Sequence, residues 1–335
     1  MNIAIVGATG NVGRKIIEIL EKKQINIENL FLLASKNSEG KKINYNGKEH
    51  TVTNLEKFDF SSVKIAFFAA GSEVAEKWAH VAAEKTIVID NSKYFRKDPD
   101  IPLIVPEVNS KKLSDVKNKN IIANANCSVI PVVVALKPLH DLYNINRIVA
   151  STYQSVSGAG KSAMDELLSQ TEDYFQNKEI DSKNFTKQIA FNAIPHIDSF
   201  LENGYTKEEQ KTTDEIKKIL DKKIKVTSTC VRIPVLVSHC ISANVEFNKK
   251  CDLDEIRKVL STSPGCKVID EHQDGGYITP VEAEDKFETF ISRIRLDESR
   301  ENTINLWIVS DNLVKGAALN AVQIAESLIT NDFYG

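Results

Sequence analysis

The sequence predicts an α/β chain in two parts: a doubly wound, mostly parallel sheet, then a largely antiparallel sheet with helices on one face. Three observations carry this. Short apolar runs alternate with helical stretches through the first 126 residues. A glycine-spaced turn, GATGNVG at 7–13, follows the first run and opens the first helix. Past residue 127 the strand-like runs lengthen, become rich in Val, Ile and Thr, and often alternate.

In order, NIAIVG reads as a buried strand, and NVGRKIIEILEKK as a helix with Val12, Ile16, Ile19 and Leu20 on one face. NLFLLAS, KIAFFAAG, TIVIDNS, LIVPEVN and NIIANAN read as further strands of the same sheet. In the second part the strands are INRIVASTYQSV, IKVTSTCVRIPVLV, ISANVEF, KFETFISRIRLDE and TINLWIVS. KSAMDELLSQTEDYF and TKEEQKTTDEIKKILDK read as interleaved helices, and DNLVKGAALNAVQIAESLI as a closing amphipathic helix.

Composition narrows the function classes. The 335 residues suffice for two domains, and 42% hydrophobic with 27% charged residues is ordinary for a globular protein. A net charge of −3 provides no basic field for nucleic acid. The five cysteines form no CxxC pair, which argues against a disulfide framework and a zinc ribbon, and no metal is expected. MNIAIVGATG lacks a basic leader, so no signal peptide is expected. No apolar run approaches the ~18 residues of a membrane span. The expected setting is reducing and cytoplasmic.

Gly7, Gly10 and Gly13 give the spacing GxxGxxG. Between a strand and a helix, glycines permit the tight turn and let backbone approach a pyrophosphate at the helix N-terminus. An NAD site usually has an acid at the end of the second strand for the ribose 2′-hydroxyl. Here that tip reads Ser35, Lys36, Asn37, Ser38, with Lys41 beyond. Hydroxyls and ammonium groups suit a 2′-phosphate, so NADP is the expected cofactor.

Cys127 sits between a polar Asn-Ala-Asn and a long apolar run, at the expected start of a helix. It is either a small buried hydrophobe or a nucleophile favoured as thiolate by the helix dipole. Pro131 is tolerated there because it falls in the first turn. A nucleophilic thiol needs a base, and His239 lies in a strand-like context of the second part, either as that base or as a satisfied structural residue. Arg232 is seven residues earlier, so in one unbroken strand the two would face opposite ways. Pro234 is the expected interruption. Glu208 and Lys211 share a helix face behind the capping-box pattern Thr206…Glu209, which could equally be a surface ion pair.

GATGNVG, FRKDPDIPLIVPEVN, NANCSV, YQSVSGAGK, EEQKTTDEIKKIL, CVRIPVLVSH and LWIVSDNLVKGAALNAVQIAE, in this order, resemble aspartate-semialdehyde dehydrogenases over nearly the whole chain. The resemblance implies a Rossmann-type doubly wound sheet plus an α+β second domain like that of glyceraldehyde-3-phosphate dehydrogenase. Residues 1–126 and 313–335 would bind NADP, with the last helix returning to the first domain. Residues 127–312 would hold catalysis and dimerisation. The implied activity is NADPH-dependent reductive dephosphorylation of L-aspartyl-4-phosphate to the semialdehyde, on the way to lysine, methionine and threonine, in a dimer or tetramer.

By the same resemblance, Cys127 would form a thioester, His239 would be the acid/base and Gln154 would orient the reacting groups. Arg232 would hold the α-carboxylate and Glu208 the α-ammonium. Arg96, Asn126 and Lys211 would form the phosphate site. Thr9, Asn11, Val12, Ser157, Gly158 and Asn312 would join the glycines, Ser35 and Ser38 at the cofactor. The chain departs from the family pattern in reading Ala125-Asn126-Cys127-Ser128-Val129 where Pro-Asn-Cys-Ser-Thr is usual. Ser238 and Cys240 flank the histidine, where Gly commonly precedes it, and Cys240 is a candidate secondary oxidation site. Asn37 stands where many bacterial members have arginine. The alternatives are a reductase of another acyl phosphate, such as N-acetyl-glutamyl phosphate, which lacks a free ammonium, and a catalytically inactive paralogue.

Overall fold

The structure is a computed structural model describing residues 1–330, and it divides into two compact units: Met1–Ala125 with the segment from Ala317 onward, and Asn126–Gly316. Among the described residues no helix is long and apolar enough to cross a membrane.

The first unit is built on β1 (Asn2–Val6), β2 (Asn29–Ala34), the hairpin β3 (Lys42–Tyr45) and β4 (Lys48–Thr51), β5 (Thr53–Asn54), β6 (Ile65–Phe68), β7 (Ile87–Asp90), β8 (Leu103–Ile104) and β9 (Ile121–Asn124). Seven of these pair in the order β5-β2-β1-β6-β7-β9-β8, every pair parallel. Strands with both faces covered read as continuous apolar runs: Ile3–Val6 and Ile65–Phe68 are fully buried. The hairpin went unread in the sequence, although its turn is Asn46-Gly47, with both residues at positive φ. LIVPEVN is a strand only to Ile104. Pro106 then opens the short helix α3 (Pro106–Asn109), where its missing N–H costs nothing.

Helices α1 (Asn11–Lys22) and α2 (Ser72–Ala83) accompany this sheet. Ile16, Ile17, Ile19 and Leu20 form the buried stripe of α1. The order of the sheet reverses between β1 and β6, which opens a crevice at their carboxyl ends.

The second unit has α4 (Val129–Tyr143), β10 (Ile145–Gln154), α5 (Lys161–Phe175), α6 (Lys207–Ile219), β11 (Lys225–Arg232), β12 (His239–Phe247), α7 (Leu253–Thr262), β13 (Cys266–Val268), α8 (Pro280–Ala283), β14 (Thr289–Leu296) and β15 (Thr303–Ser310). The sheet order is β11-β10-β12-β15-β14-β13. The β10–β11 and β13–β14 pairs are parallel and the rest antiparallel, so the sheet is largely antiparallel as expected. Eight consecutive residues of α4, Val129–Leu136, are buried, which makes it a core helix between the sheet and its neighbours α6 and α7. KFETFISRIRLDE is not an even strand: its register shifts between Ser292 and Arg295, with Arg293 at positive φ.

The chain closes on α9 (Leu319–Thr330), which packs on α1 within the first unit. The expected amphipathic helix over 311–329 is instead a five-residue π-helical turn, Val314–Ala318, followed by a helix buried almost all round at its start, Leu319–Val322. The Asp311 carboxylate accepts the N–H groups of Leu313 and Val314, and the Gly316 N–H returns to the Asp311 carbonyl, so the wide turn is capped from within.

Candidate active site

Strand pairing assembles the polar residues of the second unit. β10 lies between β11 and β12, Gln154 pairs with Arg232, and Tyr153 pairs with Cys240. Gln154, Arg232 and His239 therefore meet at one end of three adjacent strands. All three are buried, His239 completely. Arg232 and His239 occupy different strands, which removes the parity conflict. The chain leaves the sheet after Arg232 and runs through Pro234, with Val235 and Leu236 carbonyls accepting from Val156 and Ser157. It re-enters through Ser238 at φ +74°, the backbone geometry that a glycine before this histidine would favour.

Cys127 stands just before α4. Its Sγ lies 3.3 Å from His239 Nε2. The turn is fixed through Asn126: its carbonyl accepts Val129 and Ile130 N–H groups, and its Oδ1 accepts the Ser128 N–H and hydroxyl, each at 2.9 Å. Two carboxylates of α6 hold the same residue. Glu215 Oε2 accepts the Asn126 N–H at 2.7 Å, and Glu208 Oε1 accepts its side-chain amide at 2.8 Å. Seven residues apart, they fall on one face of the helix. Glu215 went unread in the sequence because only folding brings it to residue 126. Gly316 also packs here: a Cβ on it would lie 3.0 Å from that of Cys127.

Burial, and after it the Arg232 charge, pushes His239 down to about 3, so the imidazole is neutral. Its Nδ1 faces Ser155, whose N–H donates to it at 3.1 Å and whose Oγ is also at 3.1 Å. Arg232 is lowered by burial, against which the Glu208 carboxylate acts, and its Nη1 donates to the Ser155 carbonyl at 2.7 Å. Gly158 covers the imidazole so closely that a Cβ would sit 3.3 Å from Nε2. Asn312 is a buried hub, its Oδ1 accepting from Ser155, Ser157 and Ser238.

Thr206 and Glu209 form the expected capping box on α6. Glu208 and Lys211 pair at 2.7 Å, and Lys211 also reaches Asp198 at 2.9 Å. The pair is largely buried rather than a surface one: the Glu208 side chain is 9% exposed. Desolvation pulls the Lys211 ammonium down, but the two acids outweigh it and hold it above its ordinary value. The expectation for Cys240 is corrected. It is 1% exposed, and burial pushes its thiol up to about 12, which makes it an inert core residue.

In the first unit, the crevice beyond β1 and β6 is a cleft of about 710 Å³. Gly7, Thr9 and Gly10 form one wall, and Ser35, Lys36 and Asn37 another. Gly7 has φ +86°, and a Cβ there would lie 2.5 Å from the Ala69 carbonyl oxygen. Gly13 is packed beneath, where a Cβ would come within 2.2 Å of the Gly7 carbonyl oxygen, so it lets α1 approach β1. Asn11 and Val12 begin α1 beside it. Bare backbone at a helix start fits the pyrophosphate of a dinucleotide. Ser38 accepts from Lys41 at 3.3 Å. Glu56, Glu73, Lys77 and Trp78 also line the cleft; no spacing in the sequence ties them to the glycines. Arg96 follows β7 in this unit, and its Nη2 donates to the Asn91 carbonyl at 3.0 Å.

A parallel dinucleotide-type sheet joined in one chain to a paired cysteine and buried histidine defines an oxidoreductase of the semialdehyde dehydrogenase type. Residues 2–116 match the family described as semialdehyde dehydrogenase, NAD binding domain, and residues 136–315 its dimerisation domain. Aspartate-semialdehyde dehydrogenases of Rickettsia bellii and Aquifex aeolicus are each 49% identical to it, covering 98% of this chain and 97% of theirs. The crystal structure of aspartate semialdehyde dehydrogenase II from Vibrio cholerae, also solved complexed with ASA, superposes with a TM-score of 0.96 at 47% identity over 98% of both chains. The chain belongs to the aspartate-semialdehyde dehydrogenase family. These matches favour neither the N-acetyl-glutamyl phosphate reductase nor the inactive paralogue.

Proposed function

We propose that this enzyme reduces L-aspartyl-4-phosphate to L-aspartate 4-semialdehyde and phosphate, reversibly, through a thioester on Cys127. The observation that carries the reading is the 3.3 Å approach of Cys127 Sγ to His239 Nε2. The Cys127 thiol gives its proton to His239 Nε2, the thiolate attacks the acyl carbon, and phosphate leaves with the electron pair of the broken C–O bond. A nicotinamide dinucleotide, when bound, supplies the hydride. His239 Nε2 gives a proton to the carbonyl oxygen as it becomes an alkoxide. It takes that proton back as the C–S bond breaks and sulfur leaves with its electron pair. Gln154, at the end of β10, orients the reacting groups.

Arg232 suits the α-carboxylate as a two-pronged donor, and Glu208 suits the α-ammonium. Asn126, Lys211 and Arg96 are the proposed phosphate ligands. We read the unit from Met1 to Ala125 with the final helix as the NADP-binding part, and Asn126–Gly316 as the catalytic and dimerisation part. Ser35 and Lys36 at the cleft favour a 2′-phosphate, hence NADP over NAD. Thr9, Ser38, Ser157, Gly158 and Asn312 are the remaining cofactor residues in this reading. The protein works as a homo-oligomer in the cytoplasm. The test is NADP reduction with aspartate semialdehyde and phosphate. Activity abolished by iodoacetamide and by Cys127→Ala supports the reading, whereas turnover by the alanine variant overturns it.

A further inference from the structure

We propose that Ser155 is a positioning residue whose hydroxyl decides which nitrogen of His239 carries the proton. This rests on the proposed role of His239 as proton carrier. The geometry is specific. Ser155 brings two groups within hydrogen-bond distance of Nδ1, its N–H and its Oγ, each at 3.1 Å. An amide N–H only donates, whereas a hydroxyl donates or accepts. A neutral imidazole has a single ring hydrogen. When it lies on Nε2, Nδ1 accepts from the Ser155 amide.

For Nε2 to take a proton, the hydrogen must instead lie on Nδ1. There it faces an amide that cannot accept it, and the Ser155 hydroxyl is the side-chain acceptor at that nitrogen, beside the Ser238 backbone bond that favours the protonated ring. The same holds for the imidazolium formed once Nε2 is protonated: its Nδ1–H is met by Oγ. The hydroxyl can turn away because its own hydrogen has other acceptors, Asn312 Oδ1 and Ser157 Oγ, both at 3.1 Å. Every atom of this relay is buried, so water does not replace the missing acceptor freely. The charged and titratable groups facing the ring are Cys127 at Nε2, with Arg232 and Glu208 acting through space. None of them reaches Nδ1. In the reaction the proton passes between Nε2 and the substrate oxygen, and the Ser155 hydroxyl rotates without gaining or losing a proton.

Ser155→Ala removes the hydroxyl acceptor, leaves the amide donor behind the ring and so favours the hydrogen on Nε2. The expected result is a kcat at least about tenfold lower, within the usual worth of acid–base catalysis, with KM for semialdehyde and phosphate little changed and partial rescue by Ser155→Thr. A second readout needs no turnover. With the hydrogen kept on Nε2, the ring takes the thiol proton less readily, so iodoacetamide alkylation of Cys127 in Ser155→Ala moves to higher pH and reaches the wild-type rate there. A collapsed site would lose alkylation at every pH. Nitrogen-15 imidazole shifts report the tautomer directly, with the Nδ1–H signature absent from the variant. A wild-type kcat–pH profile in Ser155→Ala, or loss of alkylation at every pH together with kcat, overturns the proposal. His239→Asn separates the two readings. If it keeps full activity, His239 is not the proton carrier. If it is inactive while Ser155→Ala behaves as wild type, only the role of Ser155 fails.

Discussion

Ser238 holds a left-handed backbone at φ +74°, and its buried hydroxyl makes no hydrogen bond among the described residues. A Cβ in that conformation costs about 1–2 kcal/mol, and an unsatisfied buried hydroxyl adds to it. Ser238→Gly removes both, so the denaturant midpoint should rise, for a net gain of about 1 kcal/mol after the added freedom of the unfolded chain. His239 yields a second outcome. Its pKa falls from the ordinary histidine value to about 3 on folding. Between those values the unfolded chain binds the extra proton, so stability is lost as pH falls from about 6.5, by up to about 1.4 kcal/mol per pH unit. Urea denaturation across pH 7.5 to 5 should show this slope, and His239→Asn should flatten it. Cys127 and His239 were legible because their residue types are scarce and chemically distinctive. Ser155 was not, because serine is common and its meaning lies in which ring nitrogen it faces.

At the scale of elements, α6 works by its period. Glu208 and Glu215 stand two turns apart and grip the side chain and the backbone of the residue before Cys127. Glu215→Gln keeps an oxygen acceptor but adds a buried amide hydrogen facing the Asn126 N–H region. Loss of the charge-assisted bond should lower stability by about 1–3 kcal/mol and slow alkylation of Cys127, measured by urea denaturation and iodoacetamide kinetics. The helix and its capping box were readable from TKEEQ; the clamp was not, because a helical pattern shows which residues share a face and not what that face meets. The π-helical turn escaped for a related reason: it follows from the Asp311 cap and the tight seat of Gly316 against Cys127. Periodicity does not record such contacts.

Across the whole molecule the two architectures were legible for opposite reasons. The parallel sheet announced itself by continuous apolar strands, and the second sheet by longer alternating ones. The cleft was less visible: its glycine wall was read from spacing, but Glu56 follows β5 while Glu73, Lys77 and Trp78 lie on α2, and only the strand order brings them together. Cofactor binding to one unit stabilises the folded chain by mass action. At equal concentrations NADP should raise the melting temperature more than NAD, and Lys36→Ala should shrink that difference. Equal shifts from both would count against the 2′-phosphate reading.

The Glu208 carboxylate has one oxygen on the Asn126 amide and the other on Lys211. In the proposed reading, the side chain offered to an incoming amine thus already has neighbours. Nothing has to arrive for that corner to remain folded, and a guest enters by trading places with standing contacts. Recognition at this point is a substitution among partners, and its energy is the small remainder between two well-made arrangements.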